Sequence, residues 1–170
     1  RHTRYWRDWS SDVCSSDLPD DVAFLLALIS RMQVVSGVDP CRVYMTGFSS
    51  GAMMTNSFAS VHSDALAAIA PVSGGWIIAY GGSESQLNTP TSIPVWTWRG
   101  SDETFTTGDG SSAQPRTEQD QEQLAYWVGH DQATYQSTTV ERLTYGVSRI
   151  YTTKKYAGTA PVWFTEVQGT

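Results

Sequence analysis

Histidine and cysteine are scarce in this 170-residue sequence, with three of the first and two of the second. One cysteine, Cys14, falls in an N-terminal stretch set aside below, which leaves Cys41 alone. A single cysteine builds no disulfide framework and says nothing about redox compartment. No cluster of His and Cys offers metal-ligand spacing, so neither metal nor cofactor is expected. Basic residues are also few, 11 Lys and Arg against 17 Asp and Glu, for a net charge of −6. That balance argues against nucleic acid or an anionic membrane as partner. No apolar run is long enough to cross a bilayer, and there is no internal repeat or low-complexity tract.

The first 18 residues have neither helical nor strand periodicity. Residues 8–18, DWSSDVCSSDL, back-translate to a string similar to a common sequencing-adapter primer, and residues 1–7 continue it upstream. Residues 1–18 are therefore expected to be an adapter-derived artefact, without bearing on the fold. Arg1, Arg4 and Arg7 cancel Asp8, Asp12 and Asp17 there, so the net −6 belongs to residues 19–170. Those residues amount to one domain's worth of chain.

Along residues 19–170 helical and strand patterns alternate. Val22, Leu25, Leu26, Ile29 and Met32 recur at helical spacing behind acidic Asp20 and Asp21, and Gly37 ends that helix. Short apolar strands are expected at 42–46, 65–73 and 93–98, with helices over 52–59 and 117–128. A loop at 79–92 and a polar, flexible stretch at 103–115 interrupt them. Residues 138–145 and 149–156 alternate around Gly146-Val147-Ser148, as a hairpin appended to the main sheet. A last core strand is expected at 161–167. The order implies βαβ units and a parallel sheet.

Between the 42–46 strand and the next helix stands Gly47-Phe48-Ser49-Ser50-Gly51, a G-x-S-x-G pentapeptide. Strand, tight serine turn and helix together form the nucleophile elbow of an α/β-hydrolase. The turn is sharp enough that side chains two positions either side of the serine would strike the backbone, hence Gly47 and Gly51. Ser49 Oγ would stand above the sheet, and the Ser50 amide would face the position of an oxyanion.

In an open parallel sheet, reactive groups sit beyond the carboxyl ends of the strands. Ser49 follows one such end and Asp102 a later one, in the chain order serine, acid, histidine of this fold. Asp102 is the candidate that would orient and charge-stabilise the imidazole. Glu103, Asp109 and Asp131 are weaker candidates, being off the strand end. Neither His62 nor His130 fits the base: each sits at a helix C-terminus, where histidine meets the helix dipole favourably. The base is expected beyond Thr170 and the preceding strands before residue 19. That makes the chain the C-terminal part of a larger domain, inactive alone.

Residues 38–55, VDPCRVYMTGFSSGAMMT, resemble the elbow region of the polyhydroxybutyrate depolymerase, feruloyl esterase and acetylxylan esterase group. Residues 20–25, DDVAFL, resemble the helix before it, and residues 68–74, AIAPVSG, the strand after it. Residues 94–102, PVWTWRGSD, resemble the segment that carries the family's triad aspartate, with Arg99 where the family often has histidine. Residues 166–170 resemble the approach to its triad histidine. The resemblance is good over 19–105 and loose over 106–160. It implies Ser49 as nucleophile, Asp102 as acid, the Ser50 amide as one oxyanion donor, and a second donor upstream of this chain. It also implies a secreted enzyme acting on an acetyl or feruloyl ester of a polysaccharide, or on a polyhydroxyalkanoate.

Phe48, Trp76 and Trp98 are candidates for an acyl or aryl pocket, though core or loop packing is the simpler account of each. Two rival readings stay open: a serine peptidase of prolyl-oligopeptidase type, which shares elbow and triad order, and a non-catalytic piece or binding module.

Overall fold

The computed structural model describes residues 21–74, 89–105, 114–115 and 117–169. Residues 1–18, Trp76 and Asp109 lie outside them. The chain divides into two units after Val38. The described part of the first unit is helix α1, Asp21–Ser36. Val22, Leu25, Leu26 and Ile29 are half-buried on it, while Met32, expected on the same face, is exposed. Gly37 ends the helix with φ of +62°, a left-handed residue that glycine adopts without steric cost.

The second unit is built on a six-stranded sheet. Its strands are β1 (Tyr44–Phe48), β2 (Ala68–Val72), β3 (Val95–Gly100), β6 (Thr134–Tyr145), β7 (Val147–Ala157) and β8 (Val162–Gly169). The order across the sheet is β1-β2-β3-β8-β7-β6. The pairs β1–β2, β2–β3 and β3–β8 are parallel, and β8–β7 and β7–β6 antiparallel. The expected parallel sheet with an appended hairpin is therefore present, with the last strand inserted between β3 and the hairpin.

Helix α2, Ser50–His62, packs on β1 and β2, and α3, Thr117–His130, on β8. Apolar residues on one sheet face, Ile69, Val95 and Val162, meet Ala59 of α2 and Trp127 of α3 in the core. Burial of each large apolar side chain here contributes about 2 kcal/mol.

Two segments differ from expectation. Within 103–115, β4 (Thr104–Phe105) pairs antiparallel with β5 (Gln114–Pro115). The hairpin strands are longer than their alternation suggests: Val147 and Ser148 are already paired, and the reversal closes on Gly146 alone, at φ of +73°. Cross-strand hydrogen bonding carries these ends where the side-chain pattern fades.

Candidate active site

β1 ends at Phe48 and α2 starts at Ser50, so Ser49 alone turns the chain from strand to helix. Its backbone sits at φ 55°, ψ −116°, a conformation that non-glycine residues rarely adopt. Two sets of hydrogen bonds hold it there. The Ser49 N–H donates to the Val72 carbonyl of β2 at 3.0 Å. The Ala52 and Met53 amides donate to the Ser49 carbonyl at 3.0 and 3.1 Å.

The elbow glycines are not equivalent. A Cβ on Gly47 would lie 2.3 Å from the Gly51 carbonyl carbon, a hard collision. A Cβ on Gly51 would meet nothing within 4 Å. Gly51 thus supplies the backbone against which Gly47 packs, and its own missing side chain is not required by space. A third glycine escaped the sequence reading. A Cβ on Gly74, just past β2, would fall 2.2 Å from Ala52 Cβ and 2.8 Å from the Ser49 carbonyl oxygen. Its partners lie more than 20 residues away, so no local pattern announces it.

Ser50 opens α2, and its amide is among the first-turn N–H groups that a helix leaves without an internal acceptor. The elbow therefore presents a strained serine next to a helix N-terminus, where partial positive charge collects.

Asp102 lies exposed in the turn that follows β3. The Ser101 amide bonds the Val167 carbonyl of β8 at 2.9 Å, which fastens this turn to the neighbouring strand. Glu103 stands three residues past the end of β3. Its longer side chain folds back, and Oε1 accepts from the Gly100 amide at 2.7 Å and from the Ser73 hydroxyl.

Neither histidine outside the first 18 residues adjoins Ser49. His62 closes α2, about 18 Å along the axis from Ser50 at the helical rise per residue. Its ring packs against Phe58. His130 Nδ1 pairs with Asp131 Oδ1 at 2.8 Å, and its Nε2 lies 3.3 Å from the Thr89 carbonyl. Asp131 is fully buried. Burial raises its carboxyl above the ordinary value, while His130, Ser92 and the Ile93 amide oppose the shift. Ser92 and Ile93 precede β3, so this cluster sits at the amino ends of the parallel strands, opposite Ser49.

Phe48 is 70% exposed, outside the core. Trp98 is half-buried, edge-on to Tyr151 and tilted against Trp96. It lines a cleft of about 490 Å³ together with Thr46, Val72, Ser73 and Gly100. Among the described residues no group of three or more His, Cys, Asp or Glu could hold a metal ion, and no helix is long and apolar enough to cross a membrane.

No protein-family model matches the chain. Over 48 residues it is 42% identical to poly(3-hydroxyalkanoate) depolymerase C of Paucimonas lemoignei, covering 28% of this chain and 12% of that protein. Over 70 residues it is 40% identical to the NocK protein of Nocardia uniformis subsp. tsuyamanensis, named as an esterase, covering 39% of this chain and 20% of the relative. In fold it matches the acetyl xylan esterase from Aspergillus awamori with a TM-score of 0.63, over 88% of this chain and 61% of that one, at 17% identity. The chain spans less than two thirds of each of these proteins. Its mixed six-stranded sheet with flanking helices is an α/β-hydrolase fold, and over those shorter stretches its sequence is similar to proteins named as a polyhydroxyalkanoate depolymerase and an esterase.

Proposed function

We propose that the protein is a serine carboxylic-ester hydrolase that works through an acyl-enzyme. The observation that carries this is the backbone of Ser49, held at φ 55° between a strand and a helix over a glycine that tolerates no side chain. Strain of this kind costs about 1–3 kcal/mol and persists where surrounding structure enforces it.

Ser49 Oγ attacks the ester carbonyl carbon and gives its proton to a histidine base. The oxyanion forms against the Ser50 amide. The carbon–alkoxy bond breaks, the alcohol leaves with the proton, and water then releases the acid by the same steps. Asp102 orients the base. By the family resemblance that base follows β8, whose end runs beside β3 with Gly100 opposite Val167. The same resemblance gives the substrate class as an acetyl or feruloyl ester of a polysaccharide or a polyhydroxyalkanoate, and an extracellular location. Trp98, in the cleft with Ser73 and Gly100, borders the acyl or aryl group. No metal, cofactor, nucleic acid or membrane enters the scheme.

The test is hydrolysis of p-nitrophenyl esters by the protein in its full length, with Ser49→Ala beside it. Loss of turnover to background in the variant is expected, and full turnover would end this reading. The 170 residues alone are expected to give no turnover above background, since neither His62 nor His130 reaches Ser49. Serine-dependent turnover by them would bring in a different base.

A further inference from the structure

The Glu103 carboxylate joins parts that the chain keeps apart. It accepts from the Gly100 amide at the end of β3 and from the Ser73 hydroxyl just past β2. Ser73 is itself fixed, with φ of 53° and its amide donating to the Trp98 carbonyl at 2.8 Å. Its neighbours on either side bracket the nucleophile. The Val72 carbonyl receives the Ser49 amide, and Gly74 lies against the Ser49 carbonyl with no space for a Cβ. On its other side Glu103 is bonded directly to Asp102, and its amide closes the turn onto the Gly100 carbonyl at 3.4 Å.

We infer that Glu103 is a positioning residue: its carboxylate ties the Asp102 turn to the wall behind Ser49 and so fixes the distance between acid and nucleophile. This rests on the serine-hydrolase reading above. Glu103 transfers no proton in this role. It needs an acceptor oxygen at Oε1, and the amide oxygen of glutamine supplies one. A charge is not required, because both donors are neutral.

The requirement separates Glu103 from a group that must be negative to stabilise an imidazolium. It also gives the test, in the full-length protein. With Glu103→Ala, kcat is expected to fall about 100-fold with KM little changed, the scale on which small misplacements act. Glu103→Gln is expected to restore kcat to within about threefold, whereas Asp102→Asn is not, since that position needs its charge. Ser73→Ala removes one of the two bonds and serves as the milder variant if Glu103→Ala does not fold.

Amide hydrogen exchange reads the tie without reference to activity. The Gly100 amide exchanges faster in Glu103→Ala and at the native rate in Glu103→Gln. Unchanged Gly100 exchange or unchanged kcat in Glu103→Ala overturns the inference. So does Glu103→Gln as slow as Asp102→Asn, which would make Glu103 the acid. Failure of the hydrolase reading shows separately, as full turnover by Ser49→Ala, and leaves the exchange result to decide the tie.

Discussion

Gly74 lies so close behind Ser49 that a Cβ on it would stand 2.8 Å from the Ser49 carbonyl oxygen and 2.2 Å from Ala52 Cβ. The end of β2 and the first turn of α2 therefore meet backbone to backbone. Gly74→Ala must push the elbow away from β2 or twist α2, and such overpacking costs about 1–3 kcal/mol. The expected result is a lower denaturation midpoint together with a fall in kcat larger than the change in KM. A variant as stable and active as wild type would show that the contact yields freely.

The two glycines of the pentapeptide are expected to answer in opposite directions. Gly47→Ala collides with the Gly51 backbone and is expected to destabilise by at least about 2 kcal/mol. Gly51→Ala enters open space inside α2, where alanine is favoured over glycine by about 1 kcal/mol. It should raise the urea midpoint and leave Ser49 in place. Equal losses from both substitutions would restore the symmetric view in which both positions require glycine.

Ser49 carries strain that its hydroxyl does not need for folding. Ser49→Gly accepts φ 55° freely, and the relief of about 1–3 kcal/mol exceeds the extra chain entropy glycine loses, about 0.5–1 kcal/mol. The variant is expected to be more stable than wild type and inactive. Urea denaturation of both forms checks it, and a less stable Ser49→Gly would place the strain elsewhere.

The contrast between Ser49 and Glu103 shows what a sequence of this kind discloses. The elbow was legible because strand, serine turn and helix are all specified within about 20 consecutive residues, and the hydrophobic periods of β1, β2, β3 and β8 are local too. Glu103 was legible only as a weaker candidate acid, not as a tie between β2 and β3. One of its partners is three residues away and the other thirty, and only the fold brings Ser73 to it. Gly74 is hidden for the same reason. Gly51 was over-read, since the turn is tight on one side only. Phe48 reads as a core or pocket residue from its neighbours in sequence, yet it ends a strand that is paired on one side only among the described residues, and it faces outward.

Asp131 gives the protein a pH dependence whose sign follows from its burial. The folded state raises its pKa above 3.8, mainly by desolvation, against the pull of His130, Ser92 and the Ile93 amide. Between 3.8 and the folded value the folded chain holds a proton that the unfolded chain has lost. Stability from this group is therefore greatest below 3.8 and declines as pH rises through that window. Asp131→Asn removes the titration. Urea midpoints of the two forms, compared over about pH 3.5 to 7, should converge or cross as pH rises, the wild type losing ground. A parallel pair of curves would mean that Asp131 titrates alike in both states.

Gln123 is the least expected core residue of α3, a glutamine with no exposed surface in the middle of an otherwise amphipathic helix. Its Nε2 donates to Asn56 Oδ1 on α2 and to Thr97 Oγ1 on β3, each at 3.2 Å. Trp127 Nε1, one turn on, reaches the same Asn56 oxygen at 3.4 Å. One amide thus couples both helices to the central strand. Gln123→Leu keeps much of the volume but removes the donor from buried Asn56 and Thr97, at a cost of about 1–3 kcal/mol. Asn56→Ala alone should cost a similar amount. Because the two share one hydrogen bond, the double variant should cost less than the sum of the singles. Additive losses in a urea double-mutant cycle would show that the amide bridge contributes nothing of its own, and that the helices are held by Trp127 and the apolar core.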